Sequence, residues 1–138
     1  VQSVVERFKH AYGRWKVHSL GLLSELYSDD VEFQDPFRQI AGLPALRQYL
    51  ADLYAHVDSC TFSFENEIVQ GDHAVLMWTM LLKHPKLNGG DVVRVPGSTH
   101  IRFHGKVSYH RDYFDAGAML YEQLPLIGKV IRIIKGRV

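Results

Sequence analysis

Two carboxylates stand in apolar surroundings where they could do chemistry. Asp35 closes the alternating stretch VEFQDPF, residues 31–37, and Asp112 lies within YHRDYF, residues 109–114. An ionised carboxylate is costly to bury unless something compensates it. Two such groups in one cavity suit general acid–base catalysis on a mildly acidic carbon, because desolvation and mutual repulsion favour proton exchange near neutrality. Each also has a structural alternative. An Asp before Pro commonly forms a turn, its side chain capping nearby backbone N–H groups. Asp112 would equally serve in a salt bridge with Arg38, Arg111 or another cation at the cavity edge.

The remaining reactive side chains carry less. His100, His104 and His110 fall on paired strands, yet no compact ligand motif such as His-Glu-x-x-His occurs, so neither a metal nor a cofactor is expected. Cys60 is the only cysteine, which excludes an intrachain disulfide and reads as a buried structural thiol. The aromatics Phe8, Tyr12, Trp15, Phe33, Phe37, Tyr49, Tyr54, Trp78 and Tyr113 are core residues first. Several of them would also line a pocket for a flat, largely apolar ligand of lipid, steroid or polyketide type.

The elements that must position these residues follow from periodicity. Val4, Val5, Phe8 and Tyr12 recur at helical spacing over residues 2–12, and Gly13 ends that helix. Residues 19–27 form a second short helix with Ser19 as N-cap, and Asp29-Asp30 turns the chain into a first strand. Leu46, Tyr49, Leu50, Leu53, Tyr54 and Val57 mark a long helix over residues 42–57. From Ser59 the period becomes two, with a turn at Gly71-Asp72. The nearly continuous apolar run from His73 to Lys83 predicts a central strand covered on both faces. A further strand from Val92 is interrupted at Pro96-Gly97 and resumes at Ser98, and Gly105-Lys106 turns into the last strand. Helices first, then a meander of strands, argue an α+β fold with helices on one face of a curved sheet enclosing a cavity. Residues 116–138 form a basic amphipathic tail that closes the cavity, meets a partner subunit or lies on a membrane surface.

At 138 residues the chain is one domain, residues 1–138. Sixteen basic against fifteen acidic side chains give no field for nucleic acid or an anionic membrane. With 46% hydrophobic residues, the composition is that of an ordinary globular protein. No apolar run reaches the length of a membrane span, and VQSVVERFKH lacks a signal peptide's apolar stretch, so a cytoplasmic location is expected.

LYSDDVEFQDPFRQIAGLPALRQYLADLY, residues 26–54, closely resembles the segment of NTF2-like proteins in which a short strand carries Asp-Pro and a Gly opens the next helix. HIRFHGKVSYHRDYFD, residues 100–115, is similar to the final hairpin of the SnoaL-like branch. The resemblance implies a cone-shaped NTF2-like fold with N-terminal helices packed on a mainly antiparallel sheet. That fold hosts ketosteroid isomerases, polyketide cyclases, dehydratases, epoxide hydrolases and non-catalytic binding proteins.

Carried over residue by residue, the isomerase base falls on Asp35, whereas its two oxyanion donors fall on Phe8 and Thr99. Tyr12, one helical turn beyond Phe8, could supply a phenol in compensation. The SnoaL-like acid–base Asp falls on Asp112, assisted by Thr99 or His100; strand parity favours Thr99. The expectation is a homodimer with a pocket for a hydrophobic small molecule. Asp35 and Asp112 share acid–base duty in it, Thr99 and Tyr12 assist, and the substrate is of apolar carbonyl type. Phe8, Trp15, Phe33, Phe37, Tyr49, Tyr54, Trp78 and His100 would contact the substrate. The alternative is a non-catalytic small-molecule-binding or protein-interaction module of the same fold.

Overall fold

Ser3 starts the first helix, α1 (Val4–Gly13), with a reciprocal cap: its hydroxyl accepts the Glu6 N–H while the Glu6 carboxylate accepts the Ser3 N–H. The computed structural model describes residues 3–16, 19–119, 130 and 132–137. In α2 (Ser19–Leu26), Ser19 is already helical. Its hydroxyl accepts the Lys16 N–H at 3.1 Å, so it braces the incoming chain and does not serve as the expected N-cap. The Asp29-Asp30 turn is likewise absent. Both residues lie in β1 (Tyr27–Gln34), where pairing with the last strand slips between Tyr27 and Glu32; the irregular stretch leaves both carboxylates in water.

A short strand, β2 (Gln39–Ala41), pairs back on β1; three residues are too few for periodicity to reveal. Gly42, at φ 91°, then leads into α3 (Leu43–Tyr54), which ends three residues short of Val57. The left-handed backbone at Gly42 is one that a β-carbon would strain. Four long strands follow: β3 (Ser59–Gln70), β4 (His73–Lys83), β5 (Val93–His104) and β6 (Lys106–Phe114). The sheet order is β2-β1-β6-β5-β4-β3, antiparallel throughout except for the parallel β1–β6 pair. α4 (Ala116–Met119) begins the tail; Leu120, Leu124, Ile127, Lys129 and Ile131 lie outside the described residues, and Arg132, Ile134 and Lys135 are exposed.

Among the described residues the helices cover one face, which corrects the expectation for β4, although Thr79 on the outer face is buried. Its Ala74, Leu76, Trp78, Met80 and Leu82 are buried, while Val75 and Met77 on the other face are half-buried and Leu81 is exposed. β5 also runs unbroken through Pro96. At that residue it pairs with Thr79 of β4, but pairing with β6 begins only at Gly97, so Pro96 has a sheet neighbour on one side. One core cluster fills the space between the helices and the sheet around Phe8, Leu23, Tyr27, Leu46 and Ile101. A second surrounds Trp78, Met80, Val93 and Val95.

Gly97 lets the Trp78 indole lie across β5. A β-carbon there would stand 2.4 Å from Trp78 Cη2 and 2.8 Å from the Tyr113 carbonyl oxygen, a backbone atom that cannot swing away. Gly97→Ala is therefore expected to lower unfolding stability by about 1–3 kcal/mol in urea titrations.

Candidate active site

Between the two core clusters lies a cavity of about 250 Å³. Its walls are mostly apolar, with Phe8, Phe33, Phe62, Phe64, Trp78 and Phe114 among them. Set into these walls are Tyr12, Asp35, Thr99, His110 and Asp112. The four side chains expected to be catalytic, Tyr12, Asp35, Thr99 and Asp112, thus reach one space.

β6 positions the most connected of them. Asp112 stands opposite Thr99 in the β5–β6 register, and strand alternation puts His110 on the same face two residues earlier. Asp112 Oδ1 accepts the Thr99 hydroxyl at 2.6 Å and His110 Nε2 at 2.7 Å. Thr99 Oγ1 accepts Trp78 Nε1–H at 2.8 Å, so its own proton is directed to the carboxylate. On the far side of the imidazole, Nδ1 meets the Tyr27 hydroxyl at 2.6 Å, and Tyr27 meets Tyr12 at 2.6 Å. His110 is only 1% exposed, with the rings of Phe8, Phe33, Tyr12 and Tyr27 around it. Burial raises the phenol pKa values of Tyr12 and Tyr27, which keeps both protonated. Among the described residues, no donor reaches the other Asp112 oxygen, Oδ2. Arg38 and Arg111, the alternative ion-pair partners, lie instead over the rings of Tyr49 and Tyr113 at 5.6 Å and 4.8 Å.

Asp35 is engaged differently. Its Oδ1 accepts the N–H groups of Phe37 and Arg38 at 2.8 and 2.9 Å, and its Oδ2 accepts the Tyr49 hydroxyl at 2.5 Å. This is the turn-forming arrangement, reinforced by a phenol from α3.

Of the expected contact residues, Phe8, Phe33, Phe37, Tyr54 and Trp78 line the cavity. Trp15 does not; it stacks between Tyr12 and Tyr54, at 5.3 and 4.7 Å, and supports the wall from behind. Tyr49 also stands outside the lining, holding Asp35. His100 is on the opposite sheet face, where its Nε2 lies 3.0 Å from His73 Nδ1; alternation along β5 forces this once Thr99 faces inward. His110 and Tyr27 escaped the sequence reading as site residues. The parity that links His110 to Asp112 was available in the sequence, whereas nothing local pointed Tyr27 toward either.

Two measurements check this description. Asp35→Ala leaves two backbone N–H groups and a phenol without their acceptor, and it is expected to cost about 2 kcal/mol in urea unfolding, with Asp35→Asn milder. Cys60 is buried, and its thiol is pushed from 9.0 up to about 12 by burial, with the Tyr54 hydrogen bond acting in the opposite direction. Between those values the unfolded chain holds fewer protons than the folded one, so stability falls as pH rises from 9 through 12. Cys60→Ser is expected to flatten that alkaline loss relative to the parent, read from unfolding midpoints across the same pH range.

The SnoaL-like domain family matches residues 5–110, a stretch that contains Thr99 and His110 and ends just before Asp112. No curated protein matches the chain in sequence. Among solved structures, a Catenulispora acidiphila protein with a ketosteroid isomerase-like fold, in complex with trimethylamine, superposes with TM-score 0.73 at 17% identity, covering 89% of this chain and 92% of that one. A candidate SnoaL-like polyketide cyclase from Shewanella putrefaciens gives 0.71 at 21% identity, covering 84% and 90%. TerC, co-crystallised with polyporic acid, gives 0.70 at 20% identity, covering 84% and 94%. These likenesses show the fold, and with a family match running from α1 into β6 the chain belongs to the SnoaL-like domain family, built on the NTF2-like fold.

Proposed function

We propose that the protein is a cofactor-independent acid–base enzyme that isomerises, cyclises or dehydrates an apolar small molecule, with Asp112 as the group that exchanges the proton. The observation that carries this reading is the asymmetry of Asp112. One oxygen is fixed by Thr99 and His110, and the other, which no donor among the described residues reaches, belongs to a side chain that lines the apolar cavity. A carboxylate so oriented has a defined lone pair for a bound substrate against apolar walls. Thr99 and His110 act through Asp112 as positioning residues, and Tyr12 acts through Tyr27 on His110. Asp35 shapes the rim in this reading and leaves the proton transfer to Asp112. The small organic molecules held by two solved structures of the same fold, trimethylamine and polyporic acid, support a cavity for small ligands. The half-covered outer sheet face, with Val75, Met77 and Leu81, suits pairing of two copies into a homodimer. A cytoplasmic location fits the same reading.

A second reading, a binding module without turnover, is favoured by Asp35, whose oxygens are already held by the turn and by Tyr49. The two are separated by screening apolar hydroxylated and keto compounds for binding by thermal shift, then following each binder in D₂O by NMR for exchange, rearrangement or loss of water. Asp112→Asn is expected to lower the rate at least about 100-fold while the binders are retained. Equal rates in parent and variant would remove Asp112 from the chemistry, and binders that never react in the parent would establish the binding module.

A further inference from the structure

The side-chain donors at the cavity can be followed proton by proton. Trp78 Nε1–H goes to Thr99, and the Thr99 hydroxyl proton goes to Asp112. His110 faces the carboxylate with Nε2, so in the neutral imidazole that nitrogen carries the proton and Nδ1 is an acceptor. Nδ1 takes the Tyr27 proton, and the Tyr27 oxygen takes that of Tyr12. No Lys or Arg is among the described lining residues. His84, on the segment after β4, accepts the Lys86 N–H with Nδ1; in its neutral form it alone, among the described lining side chains, keeps a ring N–H unassigned. At Asp112 itself the two donors that arrive, Thr99 and His110, both serve Oδ1, and among the described residues what is left over there is an acceptor, Oδ2.

We infer that the ligand seated at this end is itself a hydrogen-bond donor, an apolar alcohol, phenol or amine that places its O–H or N–H on Asp112 Oδ2. Carbonyl and carboxylate groups are disfavoured there, in contrast to the carbonyl-type substrate that the family resemblance implies. The inference rests on the reading above in one respect, that Asp112 faces the ligand. The physical reason is an asymmetry of pairing. A hydroxyl on a carboxylate replaces its bond to water with a charge-assisted one, whereas a ketone oxygen in the same place is desolvated with no donor to meet it. A carboxylate adds repulsion between like charges.

The test uses the full chain and four similar probes: 1-phenylethanol, 1-phenylethylamine, acetophenone and benzoate, titrated at pH 8 with NMR-detected binding. The alcohol and the amine are expected to bind at least about tenfold more tightly than acetophenone, with benzoate weakest. Asp112→Asn should reverse the order of alcohol and ketone. The Asn carbonyl takes over the bonds from Thr99 and His110, which leaves its NH₂ in the place of Oδ2 as a donor. Acetophenone binding as tightly as 1-phenylethanol to the parent protein would overturn the inference while leaving the pocket reading intact, and this ratio decides the matter even if the variant fails to fold. An unchanged ratio in a folded Asp112→Asn protein would also overturn it. Binding of none of the four would defeat the pocket reading and the inference together.

Discussion

A carboxylate held inside an aromatic cavity sets the terms for much of this structure. Asp112 could not remain among Phe8, Phe33, Trp78 and Phe114 without compensation, and the compensation comes from Thr99 and His110 converging on one oxygen. Those two groups have needs of their own. The Thr99 hydroxyl is aimed by Trp78, and the imidazole by Tyr27, which is itself completed by Tyr12. The result is a polar string joining α1, β1, β6, β5 and β4, each member of which is satisfied by the next.

The sheet makes that string possible. Antiparallel register places Thr99 across from Asp112 and Gly97 across from Trp78, so the hydroxyl and the indole that serves it come from adjacent strands at fixed heights. Gly97 leaves room for the indole, and the parallel pairing of β1 with β6 sets Tyr27 beside Val107 and Phe33 beside His110. Among the described residues the helices lie on one face, which gives the sheet an inner side that lines the cavity and an outer side left half-covered. The two carboxylates thus come to different uses. Asp35 stands beside a turn whose N–H groups it can reach within its own segment, and Asp112 stands in mid-strand, where backbone donors belong to the ladder and only side chains are left to meet it.

Much of this was legible in the residues. The helical spacing of Val4 to Tyr12 and of Leu46 to Val57, the alternation from Ser59 and the Gly-marked turns yielded the order of elements. Parity along β5 put Thr99, and not His100, on the face that meets Asp112. The errors have local causes. Asp29-Asp30 has turn chemistry but lies in a strand because the flanking Tyr27 and Glu32 pair far along the chain, and the apolar run of β4 includes an outer face that is only partly covered among the described residues. Pro96 signals a break, yet it falls where β6 has not begun.

The sequence by itself determined the fold class, the family likeness and the two acids worth attention, because periodicity, turn residues and the Asp-Pro and His-aromatic-Asp stretches are local signals written in neighbouring residues. Only the tertiary structure decided what the acids do. Asp35's choice of a phenol, and the passage from Asp112 through His110 to Tyr27 and Tyr12, link residues separated by up to 83 positions. A hydrogen bond is settled by where the chain brings two atoms and by which protons are already engaged, and neither is a property of any short stretch of residues.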